Sequence, residues 1–180
     1  MIEISLHILD VVQNSIKAEA TNIEICVDEN IKENYLEVSV KDNGCGMDEE
    51  FLKNVTDPFV TKRTTRKVGL GLSLLKSNAE MTGGSMKITS KLGEGTYVSA
   101  LFGYDSIDRQ PLGDMAFTMV TLISCNPYID FVYKHTINDK MFEFSTVVIK
   151  ETLGDVFIGE QNVLNWINEC IIEGLNEIRR

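Results

Sequence analysis

The chain has 180 residues, of which 43% are apolar, 24% charged and only 3 proline, the composition of a folded chain rather than a disordered one. Its 27 acidic against 17 basic residues leave a formal charge of −10, which excludes a protein that grips nucleic acid by neutralising backbone phosphates. No leader-like segment is evident and no apolar run approaches the ~20 residues that cross a bilayer, so a cytoplasmic location without a membrane partner is expected.

Residues 4–20 read as a helix, with Ile8, Val12 and Ile16 on one face. On a second stripe Asp10, Asn14 and Lys17 stand at i, i+4 and i+7. Alternating strands are expected over 23–27 and 36–40, joined by a polar turn. The run Asp42-Asn43-Gly44-Cys45-Gly46-Met47 follows, then a short helical stretch from Asp48 to about Val55 and a loop over 57–68. A second long helix opens at Gly69-Leu70-Gly71-Leu72 and stops before Gly83-Gly84. Strands over 85–91 and 96–102 are divided by Gly93-Glu94-Gly95.

Helix, hairpin, helix, hairpin predicts an α+β fold, a two-layer sandwich with helices on one face of a mixed sheet. The character changes near 104–111, which marks a boundary between an N-terminal domain, 1–104, and a small α+β extension, 105–180. In the extension, 116–125, 128–135 and 141–150 read as strands and 162–178 as an amphipathic helix. The extension is expected to complete the sheet or cover its edge, and to be a candidate partner-binding piece. Cys26, Cys45, Cys125 and Cys170 form no C-x-x-C pair and read as small buried or semi-buried residues.

The polar stripe on the first helix has two readings. It is a solvated face, or it is a metal-phosphate site, with the Asn14 amide oxygen a hard ligand for Mg2+ and Lys17 neutralising phosphate. The carboxylate of Asp42 can accept a hydrogen bond from a base amino group, and Gly44 and Gly46 let backbone approach closely, although Asp-Asn-Gly is also a common turn. Gly69-x-Gly71 at a helix start offers free amides to an anion, just after the basic run Lys62-Arg63-Thr64-Thr65-Arg66-Lys67. Gly93-x-Gly95-Thr96 alone is equally well a hairpin.

In this order and spacing the four elements, over about residues 4–102, resemble the GHKL family, the Bergerat-fold ATPases. The run QNSIKAEATNIEI is similar to the asparagine box of MutL and sensor kinases, and DPFVTKRTTRKVGLGLSLLK to the phenylalanine box, lid and second glycine box of sensor histidine kinases. The resemblance implies ATP and Mg2+ as cofactors. It assigns Mg2+ to Asn14, a phosphate to Lys17, the adenine amino group to Asp42, the pocket wall to Gly44 and Gly46, and an apolar contact to Met47. Phe59, Thr61 and Lys62 would belong to the lid, Gly69, Leu70, Gly71 and Leu72 would line the phosphates, and Thr96 would support the adenine through a water.

Two departures bear on activity. Gyrase-like members carry a catalytic Glu where this chain has Asp10, one methylene shorter, so Asp10 is either the catalytic carboxylate or a structural or Mg-water ligand. Few residues precede the asparagine-box helix, so the two-helix module that presents a phosphoacceptor histidine is not expected, and His7 and His135 read as ordinary helix and sheet content. Two functions follow as expectations. One is a signalling, protein-kinase-like module that phosphorylates a separate protein partner. The other is an ATP-gated switch with slow hydrolysis that regulates a partner enzyme. ATP or ADP and a protein are the expected ligands, no nucleic acid is, and a homodimer is left open.

Overall fold

The computed structural model describes residues 2–56 and 70–180. Helix α1 (Ile4–Lys17) is followed by β1 (Asn22–Asn30), β2 (Tyr35–Asp42), the short α2 (Glu49–Asn54) and α3 (Leu70–Met81). Then come β3 (Ser85–Lys91), β4 (Gly95–Gly103), α4 (Met115–Cys125), β5 (Asp130–Ile137), β6 (Lys140–Ser145), α5 (Thr146–Leu153) and α6 (Gln161–Arg179).

The strands form one six-stranded sheet in the order β3-β4-β2-β1-β5-β6. Neighbours are antiparallel except β1 and β5, which run parallel from Asn22↔Asp130 to Glu29↔Ile137. The sheet is therefore mixed, with β5 and β6 extending it beyond β1, where the N-terminal hairpin would otherwise end.

Alternation puts Ile23, Ile25 and Val27 of β1 and Leu36, Val38 and Val40 of β2 on the buried face. Helix α1 covers β2 with Ile4, Ile8, Val11 and Val12, residues on one stripe of a 3.6-residue period. Helix α3 covers β3 and β4, and α6 packs on α4, β5 and β6. Each fully buried Ile or Leu contributes about 1.5–3 kcal/mol, so this core between the sheet and its helices dominates stability. The opposite face is polar, exemplified by the Lys134–Glu24 ion pair at 2.8 Å and the Ser99 hydroxyl donating to Glu37 at 2.8 Å.

The first helix ends at Lys17 rather than near Ala20, because Glu19 has φ 60° and breaks the ladder. Residues 116–125, read as a strand, are helical. The Asp114 carboxylate caps the amide of Phe117 at 2.8 Å, and Met115, Ala116, Met119, Leu122 and Ile123 form one buried helical stripe. Residues 141–150 are a strand only as far as Ser145. Thr146 is fully buried, its hydroxyl accepting the Phe131 amide at 2.8 Å, and α5 starts there. Cys26 and Cys170 are half-buried, but Cys45 and Cys125 are exposed, contrary to the reading of all four as buried or semi-buried. Among the described residues no helix is long and apolar enough to cross a membrane.

Candidate functional site

Asp42 ends β2 and is paired with Thr96 on β4 and Ile23 on β1. It is buried on the helix-covered face of the sheet, and as a carboxylate it accepts three hydrogen bonds. The Ser15 hydroxyl donates to Oδ2 at 2.5 Å, while the amides of Gly44 and Thr96 donate to Oδ1 at 2.9 and 3.2 Å. The first distance lies in the range of charge-assisted O–H···O− bonds. A carboxylate has about four lone-pair directions, so roughly one remains for a ligand.

The backbone around Asp42 leaves no room for side chains. A Cβ on Gly46, where φ is 67°, would lie 2.0 Å from the Lys91 carbonyl oxygen, and one on Gly95, where φ is 105°, 2.0 Å from that of Asp42. Only glycine meets both demands at once. Gly44 is pressed against Ala18, the Cys45 amide donates to the Ala18 carbonyl at 2.8 Å, and the Gly93 amide donates to the Cys45 carbonyl at 2.8 Å. Ser90 of β3 joins the two glycine turns. Its hydroxyl accepts the Met47 amide at 2.8 Å, donates to the Gly95 carbonyl at 2.9 Å and meets the Thr96 hydroxyl at 2.9 Å. An open hollow of about 250 Å3 at this end of the sheet is lined by Asp42, Ser90, Gly95 and Thr96 and also by Lys41, Thr89, Lys91 and Tyr97, which alternate onto the polar face.

A second contact lies between α1 and α3, at Asp10. On α1, Asp10 and Asn14 are half-buried and Lys17 is exposed. The first turn of α3 approaches α1 so closely that a Cβ on Gly71 would sit 1.5 Å from Asp10 Oδ2. Leu72 packs against the core and Leu70 is exposed. Phe59, Thr61, Lys62 and Gly69 lie outside the described residues.

Direct contacts thus tie Asp42, Gly44, Gly46, Gly95 and Thr96 into one cluster, with Met47 joined through Ser90, and separately tie Asp10 to Gly71. Sequence reasoning did not single out Ser15 or Ser90. Ser15 directly follows Asn14, so its place beside the motif was a usable signal, whereas Ser90 is revealed only by the Ser90↔Thr96 register.

Both histidines are buried. His7 is buried, with Nε2 at 2.7 Å from Asn78 Nδ2 on α3 and 3.1 Å from Gln110 Oε1. Burial pulls its pKa below the ordinary 6.5, partly offset by the Gln110 hydrogen bond. His135 is buried at the other end of the sheet, between the Tyr133 hydroxyl at 2.7 Å and Glu29 at 2.8 Å.

The chain is similar to known proteins. A sensor protein of Shewanella frigidimarina is 39% identical over 97 residues, spanning 53% of this chain and 15% of its own length. Histidine protein kinase DivJ of Caulobacter vibrioides is 34% identical over 96 residues, 51% of this chain and 16% of its own. The chain therefore spans under a fifth of either relative. The crystal structure of the N-terminal domain of a DNA repair protein superimposes with a TM-score of 0.57 at 16% identity, covering 79% of this chain and 52% of that one, and shares the fold. Residues 2–105 match the family described as histidine kinase-, DNA gyrase B-, and HSP90-like ATPase, and the chain belongs to that family.

Proposed function

We propose that the chain binds ATP with Mg2+ at the Asp42 end of the sheet and acts as a signalling, kinase-like module on a separate protein partner. Domains of the family generally bind ATP with Mg2+ and act in signalling. The observation that carries the reading is the Asp42 carboxylate, held by three donors and keeping about one free acceptor direction between glycine turns that exclude side chains. That free acceptor direction fits an adenine amino group, which donates. Asp42 would orient the base, Gly44, Gly46 and Met47 would wall it, and the α3 start with Leu70, Gly71 and Leu72 would lie along the phosphates. Lys17 would neutralise charge there, and Asn14 would supply an amide oxygen to the metal. Bound ATP supplies a transferable phosphoryl group, and the chain's own residues position and shield it.

A titration of Mg-ATP against wild type, Asp42→Asn and Asn14→Asp tests the site. In Asp42→Asn an amide NH2 replaces an acceptor where donors converge, so ATP binding is expected to vanish while the fold persists. Wild-type affinity in both variants refutes the assignment. With γ-labelled ATP and candidate partners, label on a partner supports the kinase reading, and steady phosphate release without labelled protein refutes it. The second reading, an ATP-gated switch, is favoured by the position of His7 Nε2, within reach of both Asn78 Nδ2 on α3 and Gln110 Oε1: it either accepts from the one or donates to the other, and so can pair with α3 or with residues 105–180.

A further inference from the structure

The hydroxyl protons at the base end have fixed directions that follow from counting donors. Ser90 Oγ has one proton and two lone pairs. The proton goes to the Gly95 carbonyl and one lone pair to the Met47 amide, so at the 2.9 Å contact with Thr96 the Thr96 hydroxyl must be the donor. Ser15 likewise commits its proton to Asp42 Oδ2 at 2.5 Å. The amides of Gly44 and Thr96 are also spent on Asp42. What remains unspent among these groups is lone pairs, on Asp42, Ser15 and Thr96.

Resting on the nucleotide reading above, we infer that Ser15 and Ser90 are specificity-determining residues that keep every hydroxyl proton at the base end engaged internally. The site then offers its ligand acceptors alone and selects a purine with an exocyclic amine. A base with a 6-oxo group brings an acceptor to the same place and leaves two lone-pair groups opposed. Rejection arises because a buried polar group left unpaired costs more than a satisfied one returns.

The two serines act differently. Removing the Ser15 hydroxyl withdraws a charge-assisted bond from Asp42 and lets the carboxylate turn, which weakens the grip on the amine. Removing the Ser90 hydroxyl frees the Thr96 proton, which can then donate to a 6-oxo group.

The test compares ATP with inosine triphosphate, the same nucleotide carrying a 6-oxo group, by titration calorimetry with Mg2+. The proteins are wild type, Ser15→Ala, Ser15→Cys, Ser90→Ala and Ser90→Thr, each checked by thermal melt. Ser15→Ala is expected to lower ATP affinity about tenfold with little change for inosine triphosphate. Ser15→Cys, nearly the same size with a weak donor, should fall between it and wild type, and carries the test if the alanine variant does not fold. Ser90→Ala is expected to narrow the ATP preference mainly by tightening inosine triphosphate, and Ser90→Thr to restore it. Equal losses for both nucleotides in the Ser15 and Ser90 variants mean that the serines only support the fold, and overturn the inference. So does an unchanged ATP preference. If wild type binds neither nucleotide, the nucleotide reading itself falls and takes this inference with it, an outcome separate from the others because it appears before any substitution.

Discussion

Gly71→Ala is the sharpest probe of the α1–α3 contact. The new methyl carbon would sit 1.5 Å from Asp10 Oδ2, where an ordinary carbon–oxygen contact is about 3.3 Å, so the carboxylate must swing by roughly 2 Å. Asp10 is half-buried and the clashing atom is the end of a side chain, so the swing costs about 0.5–1.5 kcal/mol of rotamer strain. Alanine recovers up to about 1 kcal/mol over glycine in a helix. The net change in stability is therefore within about 1 kcal/mol, or some 2–4 °C in Tm for a chain of this size. On the reading of Asp10 as the catalytic carboxylate, turnover of the γ-phosphate should nevertheless fall as far as in Asp10→Ala, because both changes remove the carboxylate from its place. The assay is phosphate release or transfer in Gly71→Ala, Asp10→Ala and the double variant, with melts on each. The double variant is expected to match either single one. Additive losses in turnover, or a melt lowered by several kcal/mol in Gly71→Ala alone, would refute the reasoning.

Two further outcomes are expected. Gly93 and Gly95 share one turn and both have positive φ, 79° and 105°, but a Cβ on Gly93 meets nothing within 4 Å whereas one on Gly95 strikes the Asp42 carbonyl. Gly93→Ala should cost only left-handed strain, about 1 kcal/mol, and Gly95→Ala about 3 kcal/mol or more together with nucleotide binding, measured by urea unfolding; equal costs would contradict the close approach. For His7, a folded pKa below the unfolded value means that the unfolded chain binds the proton first as pH falls, so its neutral-state stability is full above about pH 6.5 and is lost on acidification toward the depressed folded value. Melting temperatures from about pH 7.5 to 5.5 should therefore fall more steeply in wild type than in His7→Gln, and parallel slopes would exclude His7 as the source.

Much of the fold was legible because period and punctuation agreed. In α1 the buried residues recur helically, in β1 and β2 they alternate, and Gly83-Gly84 ends α3 where the pattern stops. Helix α4 was missed because Phe117, Val120, Thr121 and Ile123 favour strands locally, yet Asp114 as cap and a two-residue-wide apolar stripe outweigh that preference. The strand read through 141–150 failed similarly, since Val147, Val148 and Ile149 are β-branched but the buried Thr146 hydroxyl turns the chain at Phe131. In the candidate site, glycines announce themselves by spacing because backbone geometry is written locally. Ser90 does not, since its role exists only once β3 lies beside β4 in one particular register.

The parallel seam between β1 and β5 governs how the molecule can be taken apart. Eight residues of β1 are matched in succession to β5, so a chain cut after Gly103 would bare a long edge with unpaired amides and carbonyls, a template for self-association. The N-terminal half is thus a poor candidate for isolated expression, while a nicked protein should keep its pieces together. The sheet is thus one continuous frame that residues 2–104 and 105–180 build together.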